Sequence, residues 1–371
     1  MRRVLIVSHT YVDPDLRGKL RALAARGVEL TVAVPQQWKE PAFGRRLDSA
    51  WERQSGLEVF PVPATHPGDA LRSRFGAREF SALVRDKRPD LLQIEEEPET
   101  ALARQVADVA HKLRVPLVLG IRANVDRPAP WITGWRRRRL LQRVQGLLAG
   151  SMGAAALVRR IAPDVPTAVI PQLGATVPAN PVHEPHEGLV LGFVGRLVPP
   201  KGLDTLLEAL GQIRHERWSL VVAGDGPERE RLEHQATTLR LAARIRWTGA
   251  LPSEQLERIW SQLDVLVTPS RPTPDWNEPV GHALVEAMAH EVAVVGSETG
   301  VIPEIVADAG VLVPPGDATA LAEVLHDLAN QPRRLALAQA ARARVMREYS
   351  DDAVAERTLA FWESVLQGST G

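Results

Sequence analysis

Residues 189–213 read LVLGFVGRLVPPKGLDTLLEALGQI. The first six are uncharged and almost all bulky and apolar, the pattern of a strand buried on both faces, because a strand with one wet face would alternate. Glycines and prolines break the run over 195–202, and the leucines of DTLLEALGQI then recur on one face of a helix. Strand, loop and helix in that order form the repeating unit of a doubly wound parallel sheet.

The same unit recurs toward the carboxyl end, where WSLVVAG, ARIRWTG, DVLVTPS, EVAVVGS and GVLVPPG each read as a strand, mostly followed by a helical pattern such as SEQLERIWSQL. Toward the amino end RRVLIVSHT, VELTVAVP, RPDLLQIEEE, VPLVLGI, GLLAG and TAVIP form a second series. LRGKLRALAARG has helical spacing at Leu16, Leu20 and Leu23, with Gly27 as its stop. Between the series, residues 178–188 (PANPVHEPHEG) are proline-rich and aperiodic, which marks a connector. The expected organisation is a Rossmann-like domain over 1–180, a second over 181–350, and an amphipathic helix over 351–371, with Phe361 and Trp362, that packs back toward the first domain. Two such domains place a cleft between their strand carboxyl ends, where sheets of this kind bind ligands.

The length of 371 residues agrees with two cores. Hydrophobic content of 44% with 24% charged residues is globular, and no apolar run approaches the roughly 20 residues that cross a bilayer. Arg2 and Arg3 lead into an apolar run too short for a signal peptide. Cysteine is absent, which excludes disulfides, thiolate nucleophiles and thiolate-bound zinc and agrees with a cytoplasmic protein. The net charge of zero hides an asymmetry of about +10 before residue 180 and about −10 after it.

Arg196 and Lys201 lie just beyond a strand, on a loop that opens onto a helix. Two cations and the free amides of a helix start suit a diphosphate, and a pair of solvated side chains after a tight turn is the plainer alternative. Residues 273–289 (TPDWNEPVGHALVEAMA) set Glu278 and Glu286 eight apart across a helix start expected near Val280. Eight residues of helix rise about 12 Å, the span of a sugar, a diphosphate and a ribose. That spacing sets Glu278 against a hexose, the amides of Val280, Gly281, His282 and Ala283 at the phosphates, and Glu286 on the ribose hydroxyls. Surface acids favoured by the helix dipole are the alternative.

GRLVPPKG, VVAGDGPERERLE, VLVTPSRPTPDWNEPVGHALVEAMA and SETGVIPEIVADAGVLVPPGD stand in the order and at the spacing found in retaining, nucleotide-sugar-dependent glycosyltransferases of family 4. The chain resembles that family over its whole second domain, and the resemblance implies the GT-B fold, two Rossmann-like domains facing across a cleft. It implies a donor site made by Gly195, Arg196, Lys201, Gly249, Ala250, Leu251, Glu278, Pro279, Val280, Gly281, His282, Ala283 and Glu286. Arg196, Lys201 and Glu278 carry the catalytic assignment, and Gly249 to Leu251 lie beside the base. The implied reaction moves a hexosyl group from a nucleoside diphosphate sugar to an acceptor hydroxyl on a glycan, glycolipid or small molecule, with retention and without a metal or cofactor. Loss of Arg196 or Lys201 is then expected to abolish most activity with the fold intact. In retaining members of this fold the leaving phosphate is held to take the acceptor proton.

The first domain departs from the family. Its first loop, HTYVDPDLRGK, has the single Gly18 where many members carry a glycine pair, and GIRANVDRPAP offers Arg122, Asn124 and Asp126 where many have a histidine. Gly18, Arg122 and Asn124 are therefore the expected acceptor-side residues. Asp13 and Asp15 superficially resemble a metal-binding pair but suit a helix cap better. Glu95, Glu96 and Glu97 read equally as a solvated strand edge or as acceptor recognition. Trp131 to Arg143 joins two tryptophans to five arginines, which suits peripheral contact with an anionic membrane at the inner face or an ordinary packed helix with a basic exterior. No nucleic-acid-binding module accompanies it. Oxidoreductase chemistry is disfavoured, because no G-x-G-x-x-G lies between the first strand and helix. The alternatives that remain are another GT-B activity (epimerase, disaccharide synthase or phosphorylase) and a nucleotide-sugar-binding protein without turnover.

Overall fold

The computed structural model describes residues 2–39, 46–126 and 131–368. It divides into two compact units, Met1–Gly174 with Asp351–Gly371, and Ala175–Ser350. The sequence places this boundary at residue 180. Residues 175–180 instead belong with the second unit, because the Ala175 amide donates to Tyr349 O at 2.9 Å and Arg342 donates to Pro178 O at 2.6 Å.

The first unit is an eight-stranded sheet in the order Thr167–Val169, Gly146–Ala149, Leu117–Ile121, Leu91–Ile94, Arg3–Val7, Glu29–Pro35, Leu57–Val62, Glu52–Gln54. All neighbours are parallel except the last pair. Side chains alternate between two layers, as an extended chain requires. Leu5 and Val7 join Phe80, Leu102 and Val106 on one face, and Val4 and Ile6 join Leu20, Leu23 and Trp362 on the other. The helix Asp351–Gly368 thus completes the second layer; the Trp362 indole N–H donates to Gln93 Oε1 at 2.7 Å inside it.

The strand Leu57–Val62 is missing from the sequence reading, because Pro61 and Pro63 argue against a ladder. It stands next to the edge, and its neighbour Glu52–Gln54 pairs only with Leu57, Glu58 and Val59. Pro61 therefore lies where no donor is needed on that side.

The second unit has six parallel strands in the order Ile245–Gly249, Trp218–Ala223, Leu189–Val194, Val265–Thr268, Ala293–Ser297, Val311–Val313. Numbered along the unit this is 3-2-1-4-5-6, the arrangement of dinucleotide-binding sheets. Leu206, Leu210 and Leu325 cover one face, while Leu284, Met288 and Ile302 cover the other.

Candidate functional site

Leu189–Val194 and Val265–Thr268 are neighbours from which the chain departs in opposite directions, so their carboxyl ends open a crevice at the switch point of the second sheet. The loop after the first of these strands ends in a single 3-10 turn, Pro199–Lys201, and then Gly202 at φ 70°. A Cβ on Gly202 would lie 1.9 Å from Pro269 O, so only glycine lets the turn rest on the end of the neighbouring strand. That approach delivers Lys201 to the crevice. Its Nζ is 2.7 Å from Glu278 Oε2 and 5.5 Å from the centre of the Trp276 ring. Arg196 follows the strand-end Gly195; its exposed guanidinium has no ion pair or hydrogen bond among the described residues.

Glu278 is 4% exposed. Its carboxylate accepts from Lys201 and, at 3.0 Å, from the Ser270 hydroxyl, while its carbonyl accepts from the Val301 amide at 3.0 Å. Asn277 Oδ1 accepts from the Glu278 amide at 3.1 Å and from the Thr299 hydroxyl at 2.6 Å. Ser270, Trp276, Asn277 and Thr299 are contributors that the sequence reading passes over. Ser270 was within reach of it, as a hydroxyl two residues beyond a strand end.

The helix expected from Val280 begins at His282 and runs to Ala289. Gly281 precedes it in the left-handed region at φ 63°, so Pro279 and Val280 are still loop and the 12 Å helical separation of the two acids does not hold. The helix start nonetheless offers donors. Leu284 and Val285 turn their amides inward to Gly281 O, whereas those of Val280, Gly281 and Ala283 donate to no acceptor among the described residues. One turn into the helix, Glu286 Oε1 is 3.0 Å from His282 Nε2, and the carboxylate side chain is 27% exposed. Burial raises the Glu286 pKa, but the charges of His282 and His290 and the His282 hydrogen bond outweigh it and hold the group below the usual carboxylate range.

Gly249 lies at the end of the third strand of this sheet, linked to the Arg196 loop through the strand between. Gly224 donates to Gly249 O at 2.8 Å, and Gly195 donates to Ala223 O at 3.0 Å. Ala250 is exposed, and Leu251 packs against the cluster that holds Leu284 and Val285. The structure therefore gathers the expected donor residues at the carboxyl ends of one sheet, with cations and free amides at its switch point.

The expected acceptor-side residues fare less evenly. Arg122 and Asn124 follow the strand Leu117–Ile121, and the amides of Arg122 and Ala123 donate to Glu97 Oε1 at 3.0 and 3.1 Å. Asp126 faces Arg137 and Arg160 at 3.5 and 3.6 Å, while residues 127–130 of the quoted stretch lie outside the described residues. Gly18 opens the helix Gly18–Ala25, but the Asp351 carboxylate fills the space before it, 2.0 Å from where a Cβ would stand. The space in front of this expected acceptor-side residue is thus filled by a carboxylate of the last helix.

The reading of the glutamate run as a solvated strand edge is also corrected, because Glu95 and Glu96 are buried. Glu95 is paired with Lys19 at 2.8 Å and hydrogen-bonded to Gln93 and Gln172, Glu96 binds His9, and Glu97 holds the loop after Leu117–Ile121. Its own burial, and then the neighbouring Glu95 carboxylate, push the Tyr11 hydroxyl well above its ordinary pKa. Asp13 caps the turn Pro14–Arg17, accepting from the Asp15 amide at 3.0 Å. In the helix Trp131–Leu141, Leu140 and Leu141 are buried while Trp131 is 79% and Trp135 54% exposed. No helix among the described residues is long and apolar enough to cross a membrane.

Two family models match. That described as glycosyl transferases group 1 covers residues 179–344, and that described as glycosyl transferase 4-like domain covers 13–172. Over 336 residues the chain is 26% identical to a 2-deoxystreptamine glucosyltransferase of Streptomyces kanamyceticus, covering 86% of this chain and 84% of that one. It is 34% identical over 153 residues, about 40% of each chain, to a GDP-mannose-dependent alpha-(1-6)-phosphatidylinositol monomannoside mannosyltransferase of Mycolicibacterium smegmatis. Among solved structures it superposes on a sucrose-phosphate synthase from Thermosynechococcus elongatus with a TM-score of 0.77 and 20% identity, over 99% of this chain and 100% of that one. The Anabaena protein HepE, in complex with UDP and glucose, gives a TM-score of 0.71 and 19% identity over 98% and 100%.

Proposed function

The chain belongs to the glycosyltransferases of the family-4 type with the GT-B fold, and from that premise we propose that it transfers a hexosyl group from a nucleoside diphosphate sugar to an acceptor hydroxyl with retention of anomeric configuration. The observation that carries the donor assignment is the Lys201–Glu278 contact, with Arg196 on the same loop as Lys201 and with amides of Val280, Gly281 and Ala283 that donate to no acceptor among the described residues.

As the anomeric bond breaks, negative charge grows on the diphosphate. Arg196, Lys201 and the start of the helix His282–Ala289 meet that charge, so they stabilise the transition state more than the bound substrate. These cations supply the charge that a metal would otherwise bring, and activity is expected to persist in a chelator. Glu278, held by Ser270 and Lys201, presents its carboxylate to sugar hydroxyls, and Glu286 presents its own to the ribose.

A panel of UDP, GDP, ADP and their sugars in a thermal-shift assay tests the donor reading. A ligand at 100 times its dissociation constant raises stability by about 2.7 kcal/mol. The acceptor panel should include cyclitols, because one relative bears 2-deoxystreptamine in its name and another phosphatidylinositol monomannoside. Retention is read from the anomeric coupling constant of the first product formed, and an inverted product contradicts it.

A second reading concerns place rather than chemistry. Trp131, Ile132 and Trp135 are exposed beside Arg136, Arg138 and Arg139, an arrangement that suits the headgroup region of an anionic bilayer and a lipid-linked acceptor. Flotation with vesicles of anionic lipid at low salt is expected to carry the protein upward, and Trp131→Ala with Trp135→Ala to prevent it. Equal flotation of the double variant contradicts this contact.

A further inference from the structure

Two loops clasp each other at the carboxyl ends of the second sheet. One carries Trp276, Asn277 and Glu278 after the strand Val265–Thr268, and the other carries Thr299, Gly300 and Val301 after Ala293–Ser297. Asn277 Oδ1 accepts from the Thr299 hydroxyl at 2.6 Å and from the Glu278 amide at 3.1 Å, while the Val301 amide donates to Glu278 O at 3.0 Å. The approach is close enough to require a glycine, because a Cβ on Gly300 would stand 2.3 Å from Glu278 O.

These bonds decide which way round the Asn277 amide lies. A backbone N–H can only donate, so the branch that faces the Glu278 amide is the oxygen, and the NH2 group is the other branch. Asn277 is half-buried, and its Nδ2 meets solvent and donates to no acceptor among the described residues. On the next residue the Glu278 carboxylate accepts from Lys201 and Ser270, and Lys201 Nζ stands 5.5 Å from the centre of the Trp276 ring. The loop thus sets a fixed amide donor next in sequence to a fixed carboxylate acceptor, beside the cation of the donor crevice. Held in this way, a donor and an acceptor read two neighbouring oxygens, one of which must be a hydroxyl able to donate.

We propose that Asn277 is a specificity-determining residue for the donor sugar, its Nδ2 donating to the sugar oxygen next to the hydroxyl that Glu278 accepts. This rests on the donor reading given above and divides its work: Arg196, Lys201 and the start of the helix His282–Ala289 hold the diphosphate, whereas Asn277 acts on the sugar alone. The class it selects is a hexose with oxygens on adjacent positions, either a diol or a hydroxyl beside an acylamino carbonyl. A donor deoxygenated at the position that Asn277 reads leaves its amide unpaired once the sugar has displaced water, and is disfavoured for that reason.

Asn277→Asp keeps Oδ1 for Thr299 and for the Glu278 amide and replaces only the NH2 group. Asn277→Ala removes that group without adding a charge. Dissociation constants are measured on the full chain for UDP against UDP-glucose and for GDP against GDP-mannose, and the pair that binds the wild type is followed in both variants. Each variant is expected to raise the ratio of the nucleotide-sugar constant to the nucleotide constant by about tenfold, the equivalent of one hydrogen bond. A residue that only clasps the two loops would weaken both ligands together and leave the ratio alone, so an unchanged ratio in either variant overturns the proposal. If the wild type binds neither nucleotide nor nucleotide sugar, the donor reading itself fails, and the role of Asn277 with it.

Discussion

Lys201 Nζ and Glu278 Oε2 lie 2.7 Å apart although 77 residues separate them in the chain. Glu278 is buried and Lys201 is 23% exposed. The pair holds a buried carboxylate in place while leaving its cation within reach of a ligand, and this sets apart two residues that the sequence treats alike.

Arg196→Ala and Lys201→Ala are each expected to lower turnover by about 10²-fold or more, in line with the loss of one preorganised donor to the developing charge. Their stabilities should differ. Arg196 is exposed and unpaired, so its removal should change the unfolding free energy by less than about 0.5 kcal/mol. Lys201→Ala strips a buried carboxylate of its charged partner, at a cost of about 1–3 kcal/mol. The expectation that both leave the fold untouched is therefore kept for Arg196 alone, and denaturant titration of the two variants checks it.

Gly202→Ala should cost stability and donor binding together. The added methyl group meets Pro269 O at 1.9 Å in a backbone conformation of φ 70°, and the turn that carries Lys201 must retreat. A loss of about 1–3 kcal/mol is expected, with a weaker nucleotide-induced shift. A variant with wild-type nucleotide affinity would show that this approach does not position Lys201.

Glu97→Gln should leave the protein as stable at neutral pH or more so. Glu97 Oε2 is buried and has no partner among the described residues, and burial raises the pKa of the carboxyl against the opposing effect of Arg122. A carboxyl whose folded pKa is raised binds protons more tightly in the native state. Its contribution favours folding at low pH and is lost as pH rises from the ordinary glutamate range to the folded pKa. Melting curves across that range should lose this component in the variant, and an unchanged slope would show that Glu97 ionises without penalty.

Trp362→Ala should loosen the first unit by about 3–5 kcal/mol, since a fully buried indole and its bond to Gln93 both disappear. Hydrogen exchange should localise the loss to amides of residues 3–174 and the helix Asp351–Gly368. Equal loss of protection over residues 175–350 would contradict a separate core.

Five strands of the second unit are legible as apolar runs ended by a glycine, serine or proline loop, and a parallel sheet covered on both faces leaves few other readings; the edge strand Ile245–Gly249 carries Arg246 and Thr248 and is read from its place in the series. Leu57–Val62 is hidden by Pro61, whose tolerance depends on a short neighbour that no local pattern announces. The helix start near Glu278 is misplaced by two residues because Gly281 takes a left-handed conformation, whereas a glycine in sequence shows only that it is free to do so. Arg196, Lys201, Glu278 and Glu286 are found because they belong to contiguous motifs with strong spacing. His9 and Glu96 are 87 residues apart, and the glutamate run that contains Glu96 splits among three unrelated partners, so nothing local marks their pairing.

The central claim is that a diphosphate sits between Arg196, Lys201 and the start of the helix His282–Ala289. A crystal of this protein soaked with UDP or GDP tests it most directly. The expected density places the diphosphate oxygens within hydrogen-bond distance of both cations and of the Gly281 or Ala283 amide, with Glu286 on the ribose. A nucleotide bound elsewhere, with Lys201 still paired to Glu278 and Glu286 turned away from any ribose, would contradict it.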